Sequence, residues 1–122
     1  MVRGFPLLRG LALGVGLLAA AAATQAMSIR ELHALETNEK DGKLYANYYL
    51  VGVMEGMRQA NDAAQRRGEK PAFCVQGRRL EPAMARILFQ GELGRHHDFY
   101  EADMPVELVM EAALGTSYRC AP

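Results

Sequence analysis

The sequence has no tryptophan, only two cysteines among 122 residues, and no excess of either charge, since 14 basic side chains are matched by 14 acidic ones. Each shortage removes a class of function. A chain of zero net charge lacks the basic face that nucleic acid or an anionic membrane surface demands. The pairs Arg66 with Arg67 and Arg78 with Arg79 are local clusters and read as solvated faces. There is no G-x-S-x-G elbow and no phosphate-cradling glycine loop, and the carboxylates are spread along the chain. No stretch alternates with the period of a strand, and no repeat is visible. A nucleic-acid partner, a catalytic residue, a metal and a cofactor are therefore all absent from the expectation.

What is present begins at the N-terminus. Arg3 and Arg9 precede an uncharged run over residues 10–23, and the small residues of "TQA" close it at Ala26. Basic, apolar, then small and cleavable is the layout of a secretory signal peptide. The run is too short and too rich in Ala and Gly to span a bilayer. The expectation is a signal peptide over residues 1–26, cleaved after Ala26, with residues 21–23 offering an earlier alternative. Residues 27–122 would then be one small periplasmic domain with no stable membrane anchor. Without Arg3 and Arg9, two of the 14 basic residues, its net charge is −2.

Export accounts for the cysteines. Two thiols in an oxidising compartment usually pair, so Cys74 and Cys120 are expected to form a disulfide. Closing that loop stabilises the fold by about 4 kcal/mol on the chain-entropy model, and it ties down a terminus that would otherwise fray.

Between the leader and Cys120 the pattern is helical. Ser28 with Glu31 three residues on is a capping box, and Ile29, Leu32 and Leu35 follow at helical spacing. Turn residues over 38–42 end this helix. A second and longest helix is expected over residues 43–67. Its part from Leu44 to Met54 is apolar almost all round, which predicts burial among other helices. Gly52 and Gly56 sit on a stripe of small residues that predicts close helix packing. A third helix begins near Pro82, with Leu80, Met84, Ile87 and Leu88 as its core face and with Gly91 and Gly94 ending or interrupting it. The last carries Val106, Val109, Met110, Ala113 and Leu114 in strict register and stops at Gly115. The expected fold is all-α, a small bundle of four to five helices with one disulfide, preceded by a signal peptide.

The stretch "GRHHDFY" is the one cluster that suggests chemistry. His96 and His97 adjoin Asp98, yet neighbouring histidines point in different directions and rarely chelate one ion. A thiol catalyst would need a free cysteine, and each cysteine has the other to consume it. The methionines other than Met1 and Met27 fall in or beside helical segments and read as core filling, not copper ligands. Arg95, His96, His97, Asp98, Phe99 and Tyr100 together suit a loop that enters a partner protein's cleft, because Arg and aromatic residues are enriched at binding hot spots. The alternative is that Phe99 and Tyr100 pack under the last helix.

Three segments, "YYLVGVMEGMRQAN", "AFC" and "LVMEAALGTSYRC", resemble in order and spacing the Rap/Tai-type immunity domain, from about Ala46 to Cys120. The resemblance implies a small, exported, helical protein with one disulfide, often a homodimer. It also implies a role in type VI secretion immunity, in which a loop of the protein blocks the active-site cleft of a peptidoglycan amidase toxin. No contact residue carries over from the family; residues 95–100 are chosen on chemistry alone. A different class of function is a small periplasmic stress protein or chaperone with a disulfide-stapled helical fold, which would expose apolar surface as its carboxylates lose charge in acid.

Overall fold

The computed structural model describes residues 26–122, so the expected signal peptide, apart from Ala26, lies outside the described residues. Four α-helices follow in order: α1, Ile29–Asn38; α2, Gly42–Arg66; α3, Ala85–Arg95; and α4, Val106–Ser117. A single 3₁₀ turn, Pro82–Met84, leads into α3. Among the described residues there is no strand, only an isolated bridge between Ser28 and Pro105. The fold is all-α with one disulfide, as the periodicity and the cysteine count predict.

Local chemistry explains where the helices start. The Ser28 hydroxyl accepts from the Glu31 backbone N–H at 3.2 Å, and the Glu31 carboxylate accepts from the Ser28 N–H at 2.7 Å, so two orphan donors of α1 are satisfied at once. Hydrogen bonding to the Glu31 carboxyl from Ser28, through its backbone N–H first and its side chain second, holds that carboxyl below the usual range. Between α1 and α2 the chain reverses in three residues, with Asp41 in the left-handed region at φ 59° and Gly42 pressed against the end of α1. A Cβ on Gly42 would stand 1.9 Å from the Leu35 carbonyl oxygen, so this is the position where the hairpin requires glycine.

The core draws mainly on α2 and α4, with α1 packed on α2 and α3 packed on both. Leu50 and Met54 from α2 meet Val106, Val109, Met110 and Leu114 from α4, and all six are fully buried. Each such side chain contributes about 1.5–3 kcal/mol of transfer free energy. The strict spacing of α4 is thus matched residue for residue. On the outside, Arg86 of α3 donates to Glu36 of α1 and to Asn47 of α2, both at 2.8 Å, which fixes three helices at one point.

Four expectations need correction. The apolar run of α2 is buried on one stripe only, through Ala46, Leu50 and Met54. Leu44, Tyr45 and Tyr48 face solvent, because in so small a bundle only one side of this 25-residue helix is covered. Gly52 and Gly56 lie on that open side, with nothing within 4 Å of a Cβ at either, so they mediate no close packing within the chain. Of the expected core face of α3, Leu80 is buried and Met84 and Leu88 pack against the core, whereas Ile87 is 72% exposed and Ala85, Phe89 and Glu92 are the buried positions. The covered face runs through Ala85, Leu88, Phe89 and Glu92, spaced i, i+3, i+4 and i+7, which turns Ile87 to solvent. Gly91 and Gly94 do not end α3, nor does Gly115 end α4. A helical glycine costs only about 1 kcal/mol, and packing of the neighbouring turns outweighs it.

Candidate functional site

The segment from Arg95 to Tyr100 joins the end of α3 to the approach of α4, and one buried side chain organises it. Glu92, in the last turns of α3, is 3% exposed. Its Oε1 accepts from the Tyr100 hydroxyl at 2.8 Å and stands 3.0 Å from His96 Nδ1. Arg95 Nη2 lies 3.6 Å from Oε2, beyond hydrogen-bond length but near enough to offset the charge. A buried carboxylate is tolerable only with such partners. The consequence is geometric: both shoulders of the loop, His96 and Tyr100, are anchored to the same oxygen.

Between those anchors the chain makes a tight turn, closed by the Phe99 N–H donating to the His96 carbonyl at 2.9 Å. Phe99 is then thrust outward, 69% exposed, with its ring edge-on to Tyr100 at 5.1 Å. His97 and Asp98 pair at the surface at 3.0 Å and make no contact with Glu92 among the described hydrogen bonds. The two expected readings of this aromatic pair therefore divide. Tyr100 packs against the core, and Phe99 does not. The adjacent histidines point to separate partners. Among the described residues no three His, Cys, Asp or Glu side chains converge as a metal cage would require.

Burial, the hydrogen bond to Glu92 and the charge of that carboxylate together push the Tyr100 hydroxyl up to about 12. Because the raised value favours the neutral phenol of the folded state, the contribution is intact below the ordinary tyrosine range near 10 and is lost as pH rises through about 12. An ultraviolet titration should show a late tyrosine step at about 12, distinct from that of Tyr49, which burial and its bond to Glu107 also raise, and Tyr100→Phe should delete that step. Retention of the step in the variant would assign it elsewhere.

The disulfide joins Cys74 to Cys120 with the Cα atoms 4.8 Å apart. It is not the only hold on the tail. The Cys74 N–H donates to the Tyr118 carbonyl at 2.7 Å, and the Tyr118 hydroxyl donates to the Arg79 carbonyl. Arg78 spans the same seam. Its guanidinium donates to the carbonyls of Cys74, Ser117 and Arg119 and lies 5.2 Å above the Tyr118 ring. Arg78 is thus a clamp on the C-terminal tail, which corrects its expected role as a solvated charge. Asn61 does the same for the loop that delivers Cys74, donating to the Phe73 carbonyl at 2.9 Å and accepting from the Ala72 N–H at 2.8 Å.

Glu92 is the organising residue that sequence reasoning missed. Its signal was present in the spacing, four residues before His96 and eight before Tyr100. That signal gains meaning only once α3 is known to run through Gly91 and Gly94. Two surface concavities have linings that exclude the loop. One of about 410 Å³ is bounded by Leu44, Tyr48 and Ile87, and another of about 380 Å³ by Met57, Ala64 and Phe73. Residues 95–99 are exposed on a tight turn, an arrangement suited to entering a cleft.

Comparison with known proteins finds no matching family model, no matching curated protein and no matching solved structure.

Proposed function

We propose that this protein is an exported binding module whose 95–100 loop inserts into a partner enzyme and occludes it, with a secreted peptidoglycan amidase as the partner class. The observation that carries the proposal is the way Glu92 anchors the loop at His96 and Tyr100 while leaving Phe99 exposed. A large aromatic on a turn already held in place forfeits little entropy on binding. Its setting among Arg95, His97 and Asp98 matches the hot-spot pattern of an apolar anchor with a polar rim. The amidase and the periplasmic setting come from the resemblance to the Rap/Tai-type immunity domain and from the leader-like N-terminus. Self-association of two copies, which the resemblance also implies, belongs to the same proposal.

Two variants separate the anchor from its support. Phe99→Ala should weaken binding to the amidase by about 30-fold or more, the penalty for losing a hot-spot aromatic, with thermal stability unchanged because the ring is exposed. Glu92→Leu should weaken binding by about tenfold through loss of loop order. Its stability should fall by about 1–3 kcal/mol, since the partly buried Tyr100 hydroxyl loses its acceptor. Calorimetric titration of both variants against the amidase reads the two effects. Wild-type affinity in Phe99→Ala would refute the loop as the contact.

A further inference from the structure

The first residues that the structure describes converge on a second carboxylate, that of the half-buried Glu107, and its partners are incomplete. The Met27 backbone N–H donates to the Tyr49 hydroxyl at 3.2 Å, and that hydroxyl donates to Glu107 Oε1 at 2.5 Å. The other oxygen, Glu107 Oε2, is buried and has no hydrogen-bond partner among the described residues. Nor does Glu107 form an ion pair with any cation there. The nearby charges are otherwise engaged: Glu31 is bound in the capping box with Ser28, and Arg30 is paired with Asp103.

The backbone at this point is held firmly. The Met27 carbonyl accepts from the Val106 N–H at 2.9 Å, and the Ile29 N–H donates to the Met104 carbonyl at 3.0 Å. Met27 packs against the core, whereas Ala26 is exposed. The nitrogen of Met27 is therefore fixed beside Tyr49, next to a carboxylate with a spare oxygen, one bond inside an exposed residue. Burial and the bond to Glu107 raise the Tyr49 hydroxyl above its ordinary value, as a site partly withdrawn from water should. An amide nitrogen has one proton, already given to Tyr49, and no charge. An ammonium at the same place has three protons and the charge that Glu107 lacks.

We propose that the structure holds a docking site for a new N-terminus: water, acting through a peptidase, hydrolyses the Ala26–Met27 bond, and the Met27 α-ammonium so formed binds Tyr49 and Glu107. The carboxylate of the departing fragment stays on Ala26, and the amine takes up a proton from solvent. Processing then completes an ion pair inside the fold as well as releasing a leader. The inference rests on the leader reading of residues 1–26 and is independent of which enzyme the 95–100 loop meets. It also distinguishes the two cleavage positions, since a cut after residue 23 would leave Glu107 unpaired.

The test compares chains beginning at Met27 with chains beginning at residue 21, each released from a fusion without added residues. Titration of the α-amino group by NMR should place it about one unit or more above the usual 7.7–8.0 in the Met27 chain. The value should fall back to the usual range in Glu107→Gln and part of the way in Tyr49→Phe. A raised folded value means that the added stability is fully present below about pH 8 and fades as pH rises through the folded value. The Met27 chain should thus melt higher than the longer chain at pH 7 and lose that advantage near pH 10, and Glu107→Gln should abolish it. An ordinary amine in the Met27 chain, or equal melting of the two chains at pH 7, overturns the docking site. Intact mass of the exported protein should begin at Met27. A start at Thr24 overturns the processing step alone, and a chain still carrying residues 1–26 overturns the leader reading with it.

Discussion

Replacing both Cys74 and Cys120 by serine should lower the free energy of unfolding by about 4 kcal/mol. The bridge closes a segment with a sequence separation of 46, and a loop of that size confines the unfolded chain by this amount on the entropy model. In a domain whose net stability is on the order of 5–15 kcal/mol, that is a large share. The melting temperature should fall by roughly 15–30 °C, taking about 4–8 °C per kcal/mol for a domain of this size. The native geometry should nevertheless persist at low temperature, because Arg78 still grips the carbonyls of Ser117 and Arg119, and Tyr118 is 4% exposed against the core. Denaturant titration with circular dichroism measures the loss. A decrease below about 1 kcal/mol would show that the clamp alone holds the tail and that the bridge is redundant.

Gly42→Ala should cost about 3 kcal/mol, the upper part of the range for overpacking. The obstacle is the carbonyl oxygen of Leu35, 1.9 Å from where the new Cβ would lie. A flexible side chain could swing away from such a contact, but a backbone carbonyl moves only if α1 and α2 separate. Opening that hairpin also disturbs the Arg86 bonds to Glu36 and Asn47. The same substitution at Gly52 or Gly56 should do the opposite. Both are exposed in the middle of α2 with open space around them, so alanine stabilises the helix by about 0.5–1 kcal/mol at each. Chemical unfolding of the three single variants checks the contrast. A neutral Gly42→Ala would mean that the helical hairpin adjusts freely.

The glycines also show how far the sequence could be read. Gly42, Gly52 and Gly56 all belong to α2, and a small-residue stripe singled out the wrong two. The residue that needs to be glycine is set by where α1 ends, a tertiary fact. The face of α4 was legible because five apolar residues in strict register leave one way to pack the helix. The bond between Cys74 and Cys120 was legible because two cysteines have only one possible pairing. The face of α3 was legible in part: Leu80, Met84 and Leu88 belong to it, but Ile87 does not, because the covered side follows Ala85, Phe89 and Glu92. Glu92 stayed hidden for a related reason. A glutamate on an amphipathic helix belongs to solvent unless a tyrosine hydroxyl and a histidine reach it, and Tyr100 arrives only after the chain has turned back at Phe99. The proposed contact loop was thus identified by composition, while its rigidity was visible only in three dimensions.

Titrating the purified protein into a secreted peptidoglycan amidase, with turnover of cell-wall substrate as the readout, tests the account most directly. Activity should fall linearly and reach zero near one equivalent, and Phe99→Ala should require a large excess to approach the same end point. Full amidase activity at tenfold excess of the intact protein would contradict the account.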